Sequence, residues 1–92
     1  MCLITEIIQT CSHEKVANAA VASVGPEFAG RVGATAGAQG LSIGAFTVRT
    51  VREFADRLGE EERQQLREVM ERADQPLLTG LKHILQPALE AD

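Results

Sequence analysis

Leu3, Ile4, Ile7, Ile8 and Cys11 recur at spacings of three and four, so residues 1–11 predict a short amphipathic helix with one apolar stripe. A helix of that length frays in isolation, and its stripe must dock on the body of the chain or on a neighbour. Ser12 then reads as an N-cap, with Lys15 standing where a capping box would place Glu. The run from Val16 to Val24 is rich in alanine and valine and stops at Gly25-Pro26. Its alanines favour a helix, while its brevity and β-branched valines fit a short strand, so segment 16–24 is either a helix or a β-strand.

Pro26 suits a first helical position and Glu27 the positive end of a helix dipole, which predicts a helix from Pro26 to Ala38. Gly30, Gly33 and Gly37 each cost about 1 kcal/mol against alanine in a helix interior. Together with Ala34 and Ala38 they form a small-residue strip at helical spacing, beside the bulk of Phe28 and Val32, and close backbone approach is the expected compensation. Gly40 suits the left-handed residue beyond a helix end and Ser42 the next N-cap. The helix that follows, about Ile43 to Leu58, buries Ile43, Phe46, Thr47, Thr50, Val51, Phe54 and Leu58 and wets Arg49, Arg52, Glu53, Asp56 and Arg57. Gly59 and the Glu60–Glu62 triplet open another helix, about Glu60 to Arg72, with a thin stripe of Leu66, Val69, Met70 and Ala73. Asp74 or Gln75 caps a last one, striped by Leu77, Leu78, Leu81, Ile84, Leu85 and Leu89, which Pro87 should kink or end near Gln86.

The pattern predicts a mainly α fold of four to five helices in one domain over residues 1–92. At 92 residues the chain hides only roughly 60–65% of its extended surface on folding. Three Phe and no Trp or Tyr leave the packing to small side chains. Stability is expected to lean on a partner copy, with a dimer favoured. No apolar run approaches the ~20 residues of a membrane span, and the N-terminus lacks a secretion signal, so a cytoplasmic protein without membrane contact is expected. The net charge of −4 argues against an indiscriminate nucleic-acid coat. It is unevenly spread: residues 15–58 set five basic against three acidic side chains, whereas residues 59–92 set four against eight. The middle alone is basic.

Cys2, Cys11, His13 and His83 are the soft metal-ligand types present, but no Cys-x-x-Cys pairs them, so neither a metal site nor a cofactor is expected. Cys11-Ser12-His13 places a nucleophile type near a base type only in sequence; on a helix such neighbours point apart. The glycines from Gly30 to Gly40 match neither a dinucleotide fingerprint nor a P-loop. Catalysis is not expected.

The stretch from Ala19 to Val32, then Gly40-Leu41-Ser42-Ile43, then Val48 to Phe54, resembles the ribbon-helix-helix family of dimeric repressors over about residues 19–58. The resemblance implies that strands of two chains pair as an antiparallel ribbon in the DNA major groove. Ala19, Val21 and Ser23, or Ala20, Ala22 and Val24, would then face the bases, and the turn after Ser42 would meet phosphate. Neither face of such a ribbon carries the Arg, Lys, Gln or Asn that reads base edges, and Lys15 and Asn18 lie just outside it. Arg49 and Arg52, with Arg31, are the candidates for phosphate contact.

Two functions are expected from these patterns. One is a small dimeric DNA-binding regulator or antitoxin-like protein, with residues 59–89 docking on the core or on a protein partner. The other is an all-helical protein-interaction module that binds no DNA and presents the stripes of Leu3, Ile4, Ile7 and Ile8 and of Leu78, Leu81, Leu85 and Leu89. Both place Gly30, Gly33, Gly37, Phe46, Val51 and Phe54 in packing or oligomer contacts, and both predict that apolar faces are buried across a twofold axis.

Overall fold

Among the described residues six helices follow one another: α1 (Leu3–Thr10), α2 (Glu14–Val24), α3 (Pro26–Ala38), α4 (Ile43–Arg57), α5 (Glu60–Glu71) and α6 (Pro76–Glu90). They come from a computed structural model that describes residues 3–90, Leu3 through its backbone alone. Cys2 and the side chain of Leu3, both named above, lie outside the described residues. The helix count exceeds the four to five expected from the pattern, and no strand occurs among the described residues.

Segment 16–24 is the principal correction. It lies within α2, where Ala17 and Val21 point inward one turn apart and Ala19, Ala22 and Ser23 are exposed. A period of four residues, not two, decides the side each faces, and alanine's helix propensity wins over the two valines that flank the run. The N-cap of α2 is His13 rather than Ser12, and its side chain makes no capping bond. Ser12 instead donates its hydroxyl to the Gln9 carbonyl at 2.6 Å, closing α1.

The α3–α4 corner forms as its residues dictate. Gly40 has φ 70°, the Leu41 N–H reaches the Ala36 carbonyl at 2.9 Å and the Gly40 N–H reaches the Gly37 carbonyl at 3.0 Å. These paired bonds satisfy the last carbonyls of α3. The Ser42 hydroxyl accepts the Ala45 N–H at 3.1 Å and caps α4. At the other end of the chain, α6 runs through Pro87 to Glu90 instead of stopping near Gln86. Proline removes one N–H from the helical ladder, but Leu89 is 9% exposed and Ala88 packs on the core, so burial holds the last turn in place.

The two leucine- and isoleucine-rich stripes cover each other within one chain. Ile4, Ile7 and Cys11 share a single core with Leu81, Ile84, Leu85 and Leu89, joined by Ala17, Val21, Phe28, Val32, Phe46, Val51, Leu66 and Met70. Ile8, Leu78 and Phe54 are half-buried at its margin. The described members of both stripes are thus buried or half-buried within one chain. The Cα radius of gyration, 12.2 Å, is that of one globule of this length, about 12 Å. No helix among the described residues is long and apolar enough to cross a membrane.

Close backbone approach occurs at two glycines that the pattern did not single out. A β-carbon on Gly44 of α4 would fall 2.9 Å from the Glu14 carbonyl carbon of α2, and nearer still to its oxygen. One on Gly80 of α6 would fall 2.5 Å from Ile7 Cδ1 and 2.7 Å from Met70 Sδ. The first obstacle is backbone and cannot step aside; the second is the free end of two flexible side chains. Gly44→Ala is expected to lower the urea-unfolding free energy by about 1–3 kcal/mol, an overpacking cost that exceeds the gain in helix propensity. Gly80→Ala is expected to cost less than Gly44→Ala, and the reverse order would overturn this account of the two crossings.

Candidate functional site

Of the residues expected to meet DNA, Val21 is turned into the core, whereas Lys15, Asn18, Ser23, Ser42, Arg49 and Arg52 are exposed. Lys15, Asn18 and Ser23 lie on the outer side of α2, and Ser23 donates its hydroxyl to the Ala19 carbonyl at 2.9 Å. Val21 is fully buried in the core. Ser42 is occupied as the α4 cap. Arg49 donates to Gln39 Oε1, lies 3.5 Å from the Glu53 carboxylate and sits over the Phe46 ring at 5.8 Å. It therefore fastens the end of α3 to α4. Arg52 is exposed beside a groove lined by Ile8, Cys11, Val48 and Val51. A groove-reading helix presents its N-terminal residues to the bases. In α4 those residues include Gly44, Phe46 and Thr47, all turned into the core.

The small-residue strip of α3 has a different setting. Phe28, Val32 and Ala36 form the buried side of this helix, while Gly30, Ala34, Gly37 and Ala38 are exposed. At 3.6 residues per turn, Gly30, Ala34 and Gly37 fall within about 60° of one another on the outward side. A β-carbon on Gly33 would meet Ile43 at 3.4 Å, an ordinary contact, but one on Gly30 or Gly37 would meet nothing within 4 Å. The close approach expected to compensate these glycines is thus absent at Gly30 and Gly37 within the chain. Gly30, Ala34 and Gly37 make an exposed strip of small residues, with Glu27 and Ala38 to one side of it. Sequence reasoning found its residues but not its direction, because the apolar and small positions of α3 alternate at the same helical period.

Among the described residues, the large exposed apolar side chains are Val16 at 44% and Leu77 at 37%. Among the described residues, no three of His, Cys, Asp and Glu gather where a metal ion could be held. The Thr47 hydroxyl is buried without a hydrogen-bond partner, a local cost of packing α4 inward. Cys11 is buried at 3% exposure, and burial pushes its thiol up from 9.0 to about 11. Neutral and enclosed, it is a packing group rather than a nucleophile.

Replacing the two uncontacted glycines should stabilise the isolated chain. Gly30→Ala and Gly37→Ala are each expected to raise the unfolding free energy by about 0.5–1 kcal/mol in urea titrations at low protein concentration. The Cys11 thiol keeps its proton to a higher pH in the folded chain than in the unfolded one. Its contribution is fully present below pH 9.0 and is lost as the pH rises toward about 11. Stability measured across that window should fall less steeply in Cys11→Ala than in the wild type; equal slopes would show that the thiol is not the titrating group. Comparison with protein-family models, with curated proteins and with solved structures finds nothing that matches this chain.

Proposed function

We propose that this chain is a helical protein-interaction module whose first partner is a second copy of itself, met through the outward side of α3. The observation that carries this reading is that Gly30 and Gly37 weaken α3, yet a β-carbon on either would meet no other part of the chain within 4 Å. Small side chains let two helix backbones come close, and the contact area gained offsets the cost of the glycines. A twofold contact uses the same patch on both subunits. Ala34 lies between Gly30 and Gly37 along the helix, so an antiparallel pairing of α3 with α3 about Ala34 sets small residues against small residues along the whole strip.

DNA binding is the less favoured reading of this geometry. A ribbon is not part of it, Arg49 is engaged with Gln39 and Glu53, and α4 turns its first residues inward.

Sedimentation velocity over a concentration series is the direct test. The wild type is expected to dimerise, and Gly30→Leu and Gly37→Leu to sediment as monomers with unchanged far-ultraviolet circular dichroism. A monomeric wild type at high micromolar concentration would overturn self-association. A Gly37→Leu chain that still dimerises would place the contact elsewhere. Fluorescence anisotropy on a mixed-sequence DNA duplex separates the other reading. No binding is expected at about 50 mM salt; affinity that falls roughly 10³-fold or more by about 200 mM would return DNA binding to the fore.

A further inference from the structure

We draw no further inference here: the strongest candidate, the cleft of about 440 Å³ between the α2–α3 corner, with Arg31, and Lys82 of α6, rests on a helix N-terminus beside two exposed cations, and no buried polar group aimed into it shows what occupies it.

Discussion

The closeness with which α6 lies against its neighbours governs the rest of this structure. α6 is in contact with each of the other five helices. It buries Leu81, Ile84, Leu85 and Leu89 on the side that faces them, and Gly80 brings it against Ile7 of α1 and Met70 of α5. A chain with three phenylalanines and no larger aromatic ring cannot fill wide gaps between helices. Interiors must nevertheless reach the packing density of organic crystals. Short interhelical distances are the remaining route, and Gly44 of α4 and Gly80 of α6 supply them. Once α6 and α1 are seated, Ile4, Ile7 and Cys11 share one core with Leu81, Ile84, Leu85 and Leu89.

The polar groups follow the same economy. Arg49, Gln39 and Glu53 tie the α3–α4 corner from the outside, while Ser42 and the paired backbone bonds at Gly40 close it from within. An exposed ion pair such as Arg49–Glu53 contributes little free energy. The positional effect comes from the Arg49 bond to Gln39, which ties α4 to the residue that ends α3. α3 shows Gly30, Ala34, Gly37 and Ala38 to solvent, with Glu27 and Arg31 as its exposed charges.

Several features of this surface were readable from the residues. The bounds of α3, Pro26 to Ala38, follow from proline at a first helical position and glycine beyond the end, and they are observed as expected. The small-residue strip was also visible at its spacing. Its outward direction was not, because Phe28, Val32 and Ala36 compete with Gly30, Ala34 and Gly37 for the same period, and only packing decides which side faces the core. Val21 and Ser23 part for a related reason. Val21 and Ser23 share a face in a strand, but in a helix they point some 200° apart, and one is buried while the other is exposed.

Local chemistry determined where most helices begin and end, which glycine is left-handed and which serine caps α4, because those outcomes depend on residues within one turn of each other. It also determined that the core would be built of aliphatic and small side chains. Tertiary structure decided the state of segment 16–24, the continuation of α6 past Pro87 and the mutual burial of the α1 and α6 stripes. Each of these turns on contacts between residues far apart in sequence, whose burial outweighs local propensities of about 1 kcal/mol or less per ordinary residue. The glycines divide along the same line: Gly40 is needed for its own backbone conformation, whereas Gly44 and Gly80 are needed for what other helices bring against them.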